Sequence, residues 1–127
     1  MPFVSSDSIE SSSNPVNVVL PSSVVLSNGV ASAVTDNTQT TVDTYTASGA
    51  NYSITKILVT GNANSEWSIE IDSVEKMSFR IADGNKTRDI DFPGSYLLLS
   101  GSTIDIKVTH FFTGETADFK ASILGFT

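Results

Sequence analysis

A chain of 127 residues is one domain's worth and can bury roughly two thirds of its unfolded surface around a single core. Its formal net charge of -7 has the wrong sign for counterion release from a phosphate backbone, so nucleic acid is excluded as a partner and the acidity is read as a solubility device. The absence of cysteine excludes disulfides, thiolate metal sites and a cysteine nucleophile, and no apolar run approaches the ~18 residues of a membrane-spanning helix.

The chain opens on Met1-Pro2-Phe3-Val4-Ser5-Ser6-Asp7-Ser8, which has no Lys or Arg and leads into no apolar run of signal-peptide length, so the expectation is synthesis and assembly in a cytoplasm. From Met1 to Gln39 there is no basic residue, and the only charges are Asp7, Glu10 and Asp36. Serine recurs throughout, and two short apolar pieces, Val16 to Leu20 and Val24-Val25-Leu26, are separated by Pro21-Ser22-Ser23. Pro15 and Pro21 bracket the first piece, and proline is confined to strand edges and starts because it lacks the N–H that a ladder needs. Residues 1–39 are therefore predicted to form an extended arm laid on another surface, and residues 40–127 a β-sandwich domain. The arm's candidate partner-binding residues are Pro15, Val16, Val18, Leu20, Val24, Leu26 and Val30; strand addition through backbone hydrogen bonds asks little of the side chains.

From Thr40 the pattern predicts eight strands. Thr41 to Ala47 alternates; Ser48-Gly49-Ala50 turns the chain into Asn51 to Thr60, where Ile57-Leu58-Val59 is apolar on both faces. Beyond the turn formers Gly61-Asn62-Ala63-Asn64, Trp67, Ile69 and Ile71 face one way and Ser68, Glu70 and Asp72 the other, the two-residue period of a strand with one wet face. Asp72-Ser73 connects to Val74 to Ala82, and Asp83-Gly84-Asn85 signals a hairpin. Arg88 to Phe92 is predicted to end at Pro93-Gly94, with Tyr96 to Leu99 a separate strand. Thr103 to Phe111 turns Ile104, Ile106 and Val108 inward, and Ala117 to Phe126 is the last strand. The fold class is all-β, an eight-stranded antiparallel β-sandwich, with a jelly roll favoured over an immunoglobulin-like sandwich by the count of eight strands and their spacing; no Cys, Trp, Cys spacing supports an immunoglobulin domain.

No residue set demands chemistry. His110 is the single histidine, placed at a rim or an edge, and one histidine cannot build a histidine metal site; no Gly-x-Ser-x-Gly elbow accompanies it. Asp89 with Asp91, and Glu66 with Glu70, share strand faces, as alternation on a solvated face produces without a glycosidase pair. Asp83-Gly84-Asn85 lacks the spacing of a calcium loop. No catalytic, cofactor or metal residue is assigned. Trp67, Phe79, Phe92, Tyr52 and Phe119 alternate toward the core, while of the adjacent rings Phe111 and Phe112 one is expected to leave it.

The order of elements, Thr44-Tyr45-Thr46-Ala47, then Ile54 to Thr60, the Trp67-x-Ile69-x-Ile71 strand with its hairpin, and a closing Ala117 to Gly125 strand, resembles the small jelly-roll decoration or cement proteins and head-fibre proteins of tailed bacteriophages. The resemblance is architectural and carries no functional residue by position. It implies a non-enzymatic virion structural protein on the capsid surface, partnered by the major capsid protein and by itself as a dimer or trimer. The alternative expectation is a carbohydrate-binding or receptor-binding module of a tail or surface fibre; a small glycoside hydrolase ranks below both.

Overall fold

The computed structural model describes residues 23–82 and 86–127. Among these, eight strands and no helix are found: β1 Val24–Thr35, β2 Thr40–Thr46, β3 Tyr52–Gly61, β4 Ser65–Ile71, β5 Val74–Ile81, β6 Lys86–Leu98, β7 Thr103–His110 and β8 Thr116–Phe126. They form two four-stranded sheets, in the order β1-β8-β3-β6 and β2-β7-β4-β5, with every pairing antiparallel. Among the described strands only β4 and β5 are successive neighbours in one sheet; every other connection crosses from one sheet to the other, which locks the two layers together.

Alternation builds the layer between the sheets. Ile104, Ile106 and Val108 of β7, and Ala117, Phe119, Ala121 and Ile123 of β8, are all buried, meeting Ile54, Ile57 and Val59 of β3 and Trp67, Ile69 and Ile71 of β4. Trp67 is fully enclosed, stacked on Phe79 with centroids 6.3 Å apart and edge-on to Phe119 at 5.6 Å. Its indole N–H donates to Ser65 Oγ at 3.0 Å, so the ring gains its burial without leaving a donor unpaired; such aromatic pairs add about 0.5–1.5 kcal/mol each beyond area.

Two sequence expectations change. Residues 24–35, assigned to the extended arm, form β1, which pairs along β8 from Val24 opposite Gly125 to Thr35 opposite Thr116. Ala31 and Val34 bury their side chains in the core, so this stretch is held by the same alternation as the other strands; its valines and small residues hid that period among serines. Arg88 to Phe92 and Tyr96 to Leu99 are one strand, because Pro93-Gly94 does not break β6. Asp91 lies opposite Lys56 and Tyr96 opposite Ile54, so the residues between them bulge out, with Gly94 and Ser95 at positive φ (71° and 68°). A proline is tolerated there because β6 is an edge strand. The Asp83-Gly84-Asn85 turn lies outside the described residues.

The two long sides of the sandwich differ. At the β1/β2 side the backbones nearly touch: a Cβ on Gly29 would stand 1.9 Å from the Val42 carbonyl oxygen, so only glycine fits. Beside it Ser27 donates its hydroxyl to Asp43 Oδ1 at 2.5 Å. At the β5/β6 side the sheets do not meet along their whole length. Arg88 bridges them, its guanidinium 5.3 Å from the Phe79 ring and bonded to the Arg80 carbonyl at 3.3 Å, but toward Val74 and Leu97 the side is open.

Candidate functional site

Pro15, Val16, Val18 and Leu20 lie outside the described residues. Of the other residues assigned to partner binding, Val24 and Val30 are 56% and 62% exposed on β1, while Leu26 is half-buried and packs against the core. Val30 stands opposite Lys120 on the outer face of its sheet. Val25, opposite Leu124, is also exposed and was not among the residues singled out by sequence. Among the described residues β1 is an edge strand with a hydrogen-bonded neighbour on one side only, and register shifts between Val25 and Ser27 and between Ala31 and Val34 irregularise it, a common device against indiscriminate edge pairing.

The polar residues weighed for chemistry have structural partners. His110 is not at a rim: it is fully buried, on the inward face continued from Ile104, Ile106 and Val108. Its Nε2 lies 2.6 Å from the Val34 carbonyl and its Nδ1 accepts the Phe112 N–H at 3.2 Å. The carbonyl can only accept, so Nε2 carries the proton and the ring is the neutral tautomer, pinning β7 to β1 and to the bend after it. Asp89 and Asp91 both face Lys56, at 3.9 Å and 3.5 Å. Glu66 meets Arg80 at 3.7 Å and Glu70 meets Lys107 at 3.0 Å. Each acid is thus matched to a cation on a neighbouring strand, as cross-strand pairing on a solvated face prefers. Among the described residues no group of three or more His, Asp or Glu is placed to hold a metal ion.

Asp43 is different. Its side chain is buried, Oδ1 accepts from Ser27 and from the Thr44 N–H at 2.9 Å, and Oδ2 has no partner. Burial pushes its carboxyl above the ordinary 3.8, against the smaller opposing pull of the Ser27 and Thr44 hydrogen bonds.

Two surface features remain. At the end of the sandwich formed by the 61–65 and 110–116 connections, Phe111, Phe112, Asn62, Ala63 and Asn64 surround a hollow of about 230 Å³. Phe112 is 52% exposed, and Phe111 lies under the Arg80 guanidinium at 4.8 Å. Both rings are exposed, because the strand ends at His110 and alternation no longer governs them. The second feature is the open β5/β6 side. There a cleft of about 240 Å³ is lined by Ile69, Ile71, Lys76, Met77, Phe92, Tyr96 and Ile104. A second depression of about 320 Å³ adjoins it, bordered by Val74, Leu97 and Leu99, each more than half exposed.

Sequence reasoning missed this cleft, although Leu97-Leu98-Leu99 held a signal. Three consecutive leucines in a strand cannot all face inward; Leu98 is fully buried and its two neighbours are exposed. Comparison with protein-family models and with curated proteins finds no match for the chain.

Proposed function

We propose that the chain is a non-enzymatic structural protein of a virion, a decoration protein that sits on the outer face of a capsid and is attached through its N-terminal stretch. The observation that carries this reading is the exposure of Val24, Val25 and Val30 on an edge strand. A folded β-protein that turns three large aliphatic side chains outward on a free edge presents a surface suited to another chain. The Val16 to Leu20 run precedes them across Pro21-Ser22-Ser23, so the residues before β1 add further apolar side chains to the attaching stretch. The strand order β1-β8-β3-β6 over β2-β7-β4-β5 supports the jelly-roll reading of the sandwich, since two interlocked Greek keys generate it. Binding energy in such a protein comes from modest contacts multiplied by linkage between several copies.

The test is capture by the tagged full chain from lysate of infected source cells, with mass spectrometry of what co-purifies. A major capsid protein is expected with the native chain and is lost with Val24→Asp/Val30→Asp. A native chain that brings down no shell protein, or a variant that brings down as much, overturns the reading.

A second reading, glycan binding, draws on the hollow at Phe111 and Phe112. An exposed ring beside the amide groups of Asn62 and Asn64 offers a stacking face and hydrogen-bonding groups together. Glycan-array binding that Phe112→Ala abolishes, and that Val24→Asp/Val30→Asp leaves intact, would favour it over capsid attachment.

A further inference from the structure

The open side of the sandwich has a physical cause. β5 places Val74 opposite Ile71, Met77 opposite Ile69 and Phe79 opposite Trp67, so these side chains share the face that β4 turns to the core. Ile69, Ile71 and Trp67 are buried, yet Val74 and Met77 remain 55% and 37% exposed, because β6 of the other sheet lies over only part of β5. Phe79, further along, is covered by Arg88. The uncovered stretch, with Phe92, Tyr96, Leu97 and Leu99 of the facing edge, is an apolar cleft whose charged lining residues are Lys76 and, at its outer end, Asp72. Among the described residues β5 has a hydrogen-bonded neighbour on one side only, so main-chain donors and acceptors border the cleft as well.

We propose that this cleft receives residues 16–20 of a second copy of the chain. Val16-Asn17-Val18-Val19-Leu20 carries no charge, and in an extended conformation Val16, Val18 and Leu20 fall on one face, spread over roughly 13 Å. The span from Val74 to Met77 along β5 is about 10 Å, so three alternate side chains match the uncovered length. Burying them there while pairing backbone with the β5 edge is strand addition.

Reach selects a neighbouring copy over the same one. Val24 lies in one row with Gly125, Ile54 and Tyr96, three strand spacings from β6 and therefore about 14 Å from it. The four residues from Leu20 to Val24 span at most ~14 Å when taut. In its own molecule Leu20 would arrive at the near rim of β6 with no slack, and Val16 to Leu20 would still have to turn into the cleft beyond it. A neighbouring copy imposes no such limit, and the start of β1 is at the same end of the sandwich as Val74, Leu97 and Leu99, so two copies meeting at that end bring arm and cleft together. This inference rests on the reading of the N-terminal stretch as the attaching element; it gives residues 16–20 a receptor on a sister copy and leaves the exposed valines of β1 to the shell.

The experiment is sedimentation equilibrium on the full chain, native and with Val18→Asp/Leu20→Asp, Met77→Asp or Leu97→Asp. Thermal unfolding accompanies each; Leu97 is exposed enough that its variant keeps the fold even if Met77→Asp does not. The native chain is expected to self-associate, and each variant to weaken association about tenfold or more, as loss of a central apolar contact does. Mixing the arm variant with a cleft variant leaves one intact arm and one intact cleft, and a mixed pair should form. A native chain monomeric at tens of micromolar, association undiminished in the arm variant or in Leu97→Asp, or no mixed pair overturns the proposal. A monomeric chain that still captures a shell protein refutes the cleft and spares the decoration reading; self-association without that capture does the reverse.

Discussion

Two aspartates titrate in opposite senses, and each is explained by what its oxygens touch. Asp43 holds its proton more tightly folded than unfolded, because burial raises its carboxyl above 3.8. Its contribution to stability therefore improves as pH falls through the window just above 3.8 and declines as pH rises through it. Asp72 is held below 3.8, first by the Thr103 N–H and then by the Ser102 hydroxyl; the Thr103 bond is 2.9 Å. Its contribution is present above the unfolded value and is lost as pH falls below it. Denaturant melts from about pH 3 to 6 should show the acid loss of stability steepened in Asp43→Asn and softened in Asp72→Asn. Identical pH profiles for the two variants would refute both assignments. The histidine was legible at this scale and was misplaced: the period that puts Ile104, Ile106 and Val108 inward places His110 inward as well.

Among the elements, the β4–β5 hairpin is tight and built without glycine. Asp72 and Ser73 both have positive φ, 50° and 67°, the backbone of a two-residue turn whose hand matches the strand twist. Asp72 offsets its strain through the Thr103 bond, but among the described residues no side-chain bond of Ser73 does the same. Ser73→Gly should raise stability by about 0.5–1 kcal/mol, read as a higher midpoint in urea; a lower midpoint would show that the turn draws on the serine. Strands with one wet face were the most legible elements. β4, β7 and β8 follow their alternation closely, since a buried inner face leaves no freedom of register. β1 was not legible, because its inward positions include Gly29 and Ala31 in place of large apolar residues, and its bulges break the period. β6 was read as two strands because a proline and a glycine in sequence signal a turn whether the chain reverses or merely bulges; the choice depends on the pairing partner, which no local pattern contains.

For the whole molecule, the position of β1 redefines where the removable N-terminal stretch ends. Deleting residues 1–35 takes away β1, the burial of Ala31 and Val34, and the Val34 carbonyl that His110 bonds. That truncation should lose at least about 3 kcal/mol or aggregate, since it combines lost core volume with an unpaired buried ring nitrogen; circular dichroism melts equal to those of the full chain would contradict the placement of β1 in the sheet. The cleft between β5 and β6 belongs to this scale too. Alternation correctly turns Met77 and Phe79 toward the interior, but whether anything lies over them depends on how far the opposite sheet extends, a property of the assembled layers.

The sheet order has a consequence for how the protein comes into being. β8, the latest strand of the described residues, lies between β1 and β3, so among the described strands β1 has no hydrogen-bonding neighbour until residues 116–126 have left the ribosome. Nearly a hundred residues must be synthesised while β1 waits, and the loop so closed makes folding slow on the scale of small domains, in the millisecond-to-second range. During that interval the aliphatic edges of β1 and β3 are bare to solvent and to nascent sister chains, and a crowded polysome is where such edges pair wrongly.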